Sequence, residues 1–168
     1  MSQRYVYTPG GIARLHQRIA SARAAYKAVC DDNPAALESG DTSGWHDNFA
    51  FEENQRQMHQ LARQVRDLEA VAAQAIVVPI PIHEPDRVVL GVKFSYRFVD
   101  ETSTREGWLA GWEDGDPDHG RISYNSPVGV ALTGAEPGDT RDVRVGGVVR
   151  QLEVLDVSCL ETDRCADA

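Results

Sequence analysis

Seven carboxylates stand in one stretch of the chain with no lysine or arginine among them. Residues 28–55 hold Asp31, Asp32, Glu38, Asp41, Asp47, Glu52 and Glu53. Carboxylate oxygens are hard donors, and one or two suffice for a magnesium ion that keeps most of its waters. The flanking stretches, residues 1–27 and 56–75, carry eight basic residues and two acids. An acidic segment between basic arms suits a probe that enters a site lined by phosphates and a metal ion, its acids able to hold a cation. The same charges would also serve simple solubility.

Other chemistry is scarce. Residues 76–168 contain no nucleophile–His–acid grouping, no phosphate-cradling glycine loop and no metal-ligand spacing. The loop Glu113–Gly120 (EDGDPDHG) mimics a calcium loop but lacks the spaced ligands and closing glutamate of an EF-hand. His83 and His119 read as surface residues. Cys30, Cys159 and Cys165 are scattered and odd in number, which fits a reducing, cytoplasmic compartment and no disulfide framework. The chain has 168 residues, 42% hydrophobic and 26% charged, with a net charge of −9. That allows one domain or two small ones with a real core. It disfavours coating of nucleic acid through the overall field, and sequence-specific DNA binding is not expected. The longest apolar stretch, Val71 to Ile82, is interrupted by Gln74, Pro79 and Pro81 and falls short of a membrane span. The first residues lack the basic-then-apolar layout of a signal peptide.

The acidic segment needs elements to hold it. Thr8-Pro9 predicts a helix start, with a hydroxyl N-cap and proline in the first turn. Ile12, Leu15, Ile19, Ala22, Tyr26 and Val29 then step by 3 and 4, a heptad seam. Asn33-Pro34 should disturb this helix. A second seam runs through Phe51, Asn54, Met58, Leu61, Val65, Leu68, Ala72 and Ala75, with only Asn54 polar. Two such seams joined by a turn predict an antiparallel coiled-coil hairpin, a rod of roughly 40 Å. The hairpin is expected over residues 1–76, with its acidic tip around 38–53.

Residues 77–168 read as a small strand-rich domain, with 159–168 expected to be a disordered tail. Phe94, Tyr96 and Phe98 alternate with Lys93, Ser95 and Arg97, the period of a half-buried strand. Arg105–Trp112 is a weaker strand. Ser126 can cap a short helix, Pro127 can open it and Gly134 can end it. Thr140–Val145 and Val148–Val157 are strands joined at Gly146-Gly147, a two-residue hairpin signal. The fold class is therefore α+β: a helical hairpin, then an antiparallel β domain of four or five strands with one short helix.

Three stretches carry a family likeness. They are Tyr7-Thr8-Pro9-Gly10-Gly11 with Leu15; Asp47-Asn48 with Phe51, continuing through Val65-Arg66-Asp67-Leu68-Glu69 to Ala75-Ile76-Val77-Val78; and ISYNSPVGVALTGAEPGDT at 122–140. In order and spacing the chain resembles the Gre family of bacterial transcription elongation factors across about residues 5–158. The last stretch is the most specific, matching a family signature of the form IS-x-x-SP-x-G-x-AL-x-G followed by G-D. The resemblance implies an FKBP-like second domain that docks on a coiled coil at the rim of the RNA polymerase secondary channel, through the segment around Ser126 and Pro127. It implies a hairpin running down that channel to the nascent RNA 3′ end. It implies an accessory factor with no cofactor of its own, whose tip acids help hold a Mg2+ shared with the polymerase active site, so that the polymerase hydrolyses backtracked RNA.

The tip departs from the family pattern G-D-L-x-E-N-A-E-Y. Asp47 matches the second acid, shortened by one methylene, and Asn48 matches the asparagine. Gly44 falls where the first acid belongs, and Gly40-Asp41 looks like the missing G-D displaced by three residues. Trp45 at such a tip could stack on a base or pack on the hairpin end, and His46 could meet a metal or a phosphate. Two readings follow: transcript cleavage with Asp41 and Asp47 as metal-holding acids, or a regulator that occupies the channel and inhibits without efficient cleavage. A third takes the second domain as a prolyl isomerase, with Phe94, Tyr96, Phe98, Trp108, Trp112 and Tyr124 as candidates for its aromatic pocket.

Overall fold

A computed structural model describes residues 5–38, 49–83 and 85–160. The chain divides into two compact units, Met1–Ala13 with Ala75–Ala168, and Arg14–Gln74. This moves the first residues out of the expected 1–76 hairpin, because a short strand ties them to the β unit. Strand β1 (Tyr5–Tyr7) pairs in parallel with β2 (Ala75–Val77), Tyr5 opposite Ala75. Trp112 N donates to Val6 O at 2.9 Å, and the Tyr5 and Trp112 rings meet edge to face at 5.2 Å.

Helix α1 runs from Pro9 to Glu38 and α2 from Phe49 to Ala73. The predicted start of α1 is seen in its hydrogen bonds: Thr8 Oγ1 accepts from Gly11 N at 3.1 Å and Thr8 O from Ile12 N at 3.0 Å. The predicted break at Asn33-Pro34 does not occur. A proline removes its own donor and crowds the carbonyl four residues back, and here the helix carries that local loss for one more turn.

Within the helical unit the seams are where the spacing puts them. Leu15, Ile19 and Ala22 are buried and Tyr26 and Val29 half-buried, while the positions between them are exposed. Every seam member of α2 from Phe51 to Ala72 is half-buried. Two cross-arm contacts give the direction. Arg23 Nη2 meets Glu69 Oε1 at 2.5 Å, and Asn54 Nδ2 donates to Val29 O at 3.2 Å. Six residues forward on α1 correspond to fifteen back on α2, so the arms are antiparallel.

The other unit is a five-stranded sheet in the order β5-β4-β3-β7-β6. Its strands are β3 (Val92–Phe98), β4 (Arg105–Ala110), β5 (Arg121–Ser123), β6 (Thr140–Val145) and β7 (Val148–Cys159). The sheet is mixed rather than wholly antiparallel, because residues 111–120 carry the chain back before β5 joins β4 in parallel. Strand β7 reaches Cys159, which pairs with Val92, so the expected tail cannot begin at 159. Residues 161–168 lie outside the described residues. Alternation in β3 is as read: Val92, Phe94, Tyr96 and Phe98 are buried. They form the core with Leu109, Val143, Leu152 and Val154, closed by Leu132 of the short helix α3 (Pro127–Leu132). Gly146 and Gly147 take φ of 60° and 85°, the left-handed pair that a tight β6–β7 turn requires.

Candidate functional site

The expected docking segment, Ser126-Pro127, stands at the start of α3. Ser126 is extended (φ −73°, ψ 157°) and its Oγ accepts from Gly129 N at 3.0 Å while donating to Ser123 O at 2.7 Å. Pro127 follows in the first turn and is exposed, as is Val130. The buried side of this short helix is Gly129 and Leu132. A Cβ on Gly129 would lie 2.0 Å from Ser123 O, so only glycine lets the helix sit this close to the preceding turn.

The turn before it is held by groups from another loop. Ser123, 7% exposed, donates its hydroxyl to Gly111 O at 2.6 Å and also faces Asn125 Oδ1. Asn125 Oδ1 accepts from Glu113 N at 3.1 Å. Glu113 is the one non-glycine residue with positive φ (48°) among the described residues, a conformation this side-chain bond supports. Tyr124 N donates to Ala110 O at 3.0 Å, and its ring lies 6.1 Å from that of Trp112. Ser123, Asn125 and Gly129 thus set the geometry of Ser126-Pro127. The sequence displayed all three inside the signature, but their partners are distant in the chain, and spacing alone gave them no role.

The acidic loop turns out to be stapled to the sheet. Pro117–His119 forms one 3-10 turn, capped by Asp116, whose Oδ1 accepts from Asp118 N at 3.1 Å. Asp116 Oδ2 lies 2.5 Å from Arg121 Nη2 and 2.7 Å from His119 Nδ1. Burial pushes the Asp116 carboxyl up, but the His119 hydrogen bond and the Arg121 charge outweigh it and hold it below the ordinary carboxylate range. This carboxylate therefore serves as a structural anchor for the loop. Among the described residues no group of three or more His, Cys, Asp or Glu could hold a metal.

A cleft of about 550 Å³ opens beside this loop, lined among others by Tyr96, Arg105, Arg121, Ile122, Ser126 and Val128. Of the six aromatics considered for an isomerase pocket, only Tyr96 lines it. Phe94 and Phe98 are committed to the core at 1% and 3% exposure, and Trp112 and Tyr124 to the pairing with the N-terminal strand. This cleft therefore lacks the aromatic walls a prolyl isomerase needs.

The tip residues Asp41, Trp45, His46, Asp47 and Asn48 lie outside the described residues. The arms that lead to them are described. Asp31 pairs with Lys27 at 2.7 Å and Glu53 with Arg56 at 2.5 Å. The remaining basic residues of the shaft include Arg18, Arg63 and Arg66, all exposed. No described helix is long and apolar enough to cross a membrane.

The two units define a class: an antiparallel helical hairpin attached to a small α+β domain with a rigid, proline-opened turn on its surface. Known proteins give that class its name. The family model described as "Transcription elongation factor, GreA/GreB, C-term" matches residues 83–159. Transcription elongation factor GreA of Chlorobaculum parvum is 30% identical over 159 residues, 94% of this chain and 98% of that protein. GreA of Rhizobium leguminosarum bv. trifolii is 29% identical over 161 residues, 94% of this chain and 99% of that protein. Among solved structures, the GreA factor homolog 1 (Gfh1) protein of Thermus thermophilus is similar at 18% identity with a TM-score of 0.42, over 92% of this chain and 99% of that one. The chain belongs to the GreA/GreB family of transcription elongation factors.

Proposed function

We propose that the protein binds bacterial RNA polymerase through the secondary channel and stimulates cleavage of backtracked nascent RNA, relieving arrest. In this reading the segment Ser126-Pro127 docks on the coiled coil at the channel rim. The observation that carries it is the construction of that segment: an exposed proline on a turn fixed by Ser123, Asn125 and the obligatory Gly129. A surface turn built this rigidly meets a partner at low ordering cost.

The hairpin supplies charge. Seven basic residues against two acids along 14–27 and 56–74 suit a phosphate-lined path, and the acids of the tip suit a cation at its end. Asp41 and Asp47 are the two carboxylates that would hold a second magnesium ion, shared with the polymerase and present only in the complex. Held there, the ion would supply a polarised water for hydrolysis of the RNA phosphodiester. Two carboxylates fit magnesium, which keeps most of its waters. Trp45, His46 and Asn48, their neighbours in the sequence, would contact the RNA end. The chain acts as an accessory to the polymerase active site, in the cytoplasm.

One observation favours a second reading, in which the factor occupies the channel and slows transcription without cleavage. Gly44 stands where the family pattern has its first acid, and Asp41 lies three residues away from that place. A misplacement of about 1 Å can cost ~100-fold in rate. Binding to core polymerase tests the docking arm common to both. Substituting Pro127→Asp should weaken binding at least about tenfold, roughly 1.4 kcal/mol, with an unchanged thermal midpoint. Equal binding by the variant would sink the docking assignment.

A further inference from the structure

Tyr96 is a core residue with an unused polar end. It is 7% exposed, and its ring meets those of Phe94 and Phe98 at 5.9 and 6.1 Å. It lines the cleft beside the docking turn, and its hydroxyl makes no hydrogen bond among the described residues. A hydroxyl drawn out of bulk water without a partner costs stability. Phenylalanine would fill the same volume without that cost, so the hydroxyl does not serve the core.

The sheet register sets a second donor next to it. Tyr96 of β3 stands directly opposite Arg105 of β4, so both side chains leave the sheet on one face, about 5 Å apart at Cβ. Arg105 lines the same cleft. Its Nη2 donates to Glu101 Oε2 at 2.7 Å and its guanidinium lies 4.9 Å from the centre of the Phe98 ring, which leaves N–H groups to spare. The other polar side chains of the cleft are engaged. Ser123 and Ser126 hold the turn, and Glu106 meets Lys93 at 2.9 Å. Arg121 is held by Asp116, and its covered, unpaired Nε is again a donor. Ile122 and Val128 supply apolar walls. Free donors between apolar walls fit an acceptor on an apolar stem, and a carboxylate can take both the hydroxyl and the guanidinium at once.

We propose that this cleft receives an acidic side chain of the docking partner, held by the Tyr96 hydroxyl and the Arg105 guanidinium. The proposal rests on the reading of Ser126-Pro127 as the docking segment: Ser126 lines the same cleft, so a chain seated on that turn has it within reach. The test is binding of the full chain to core bacterial RNA polymerase, with the thermal midpoint of each variant measured alongside. Y96F should keep or raise the midpoint and weaken binding about tenfold. R105M should weaken binding comparably and flatten its salt dependence. One carboxylate meets both groups, so the double variant should lose less than the product of the two single losses. R97M removes an exposed cation of the same strand outside the cleft and should leave binding unchanged. Unchanged binding in Y96F and R105M, with P127D still weakened, overturns the proposal and leaves the docking segment standing. Losses that multiply in the double variant overturn it too, as does a loss in Y96F that merely follows a lowered midpoint. If P127D also binds like the wild type, or the wild type does not bind, the docking reading falls and the proposal with it.

Discussion

Gly129 has no room for a methyl group. Its substitution by alanine would put a Cβ 2.0 Å from a backbone oxygen, and backbone cannot swing aside as a side chain can. Gly129→Ala should cost about 1–3 kcal/mol, read as a lowered denaturation midpoint, and should displace Ser126-Pro127. Ser126→Ala removes a cap and should cost about 1 kcal/mol in the same measurement. Asp116 gives a pH-dependent case. Its folded value lies below the ordinary 3.8, so the stability it contributes is present above the unfolded value and is lost as pH falls through the lower folded one. Asp116→Asn should therefore weaken the protein at neutral pH, and the difference from wild type should narrow as pH falls below the ordinary carboxylate range. Urea unfolding at pH 7 and at low pH checks both signs. Of these roles only the Ser126 cap was legible from spacing. The clash at Gly129 is with a carbonyl six residues back, and the partner of Asn125 is Glu113; both pairings exist only after the chain has turned.

Elements were far more legible than contacts. The 3-4 seams appear in the burial of α1 and α2 because a helix turns every 3.6 residues whatever else surrounds it. The alternation in β3, the cap at Ser126 and the Gly146-Gly147 turn followed from equally local physics. Thr8 belongs with them: it is 1% exposed and caps α1, so Thr8→Ala should cost about 1–2 kcal/mol in thermal unfolding. What failed was non-local. A parallel partner for Tyr5–Tyr7 lies about seventy residues away, and no local pattern distinguishes it from coil. Strand β5 has three residues, too few to show a period, and its parallel pairing depends on how residues 111–120 return. Pro34 does not end α1, because one lost hydrogen bond near a helix end is a smaller loss than a true stop.

At the scale of the molecule, charge and architecture divide the work. One unit presents an exposed turn with a rigid foundation; the other carries basic arms toward an acidic segment. The family was legible because its signature at 122–140 contains the residues that the fold constrains most. The tip chemistry rests on residues 41–48, where this chain departs most from that pattern. The direct measurement is RNA length in backtracked complexes of a bacterial RNA polymerase, with magnesium and the purified protein. Shortened RNA is the predicted result, reduced about 100-fold in rate by Asp47→Ala and by Asp41→Ala. Intact RNA with slowed nucleotide addition would replace the cleavage reading with channel occupation. Intact RNA with no binding to polymerase would contradict the account itself.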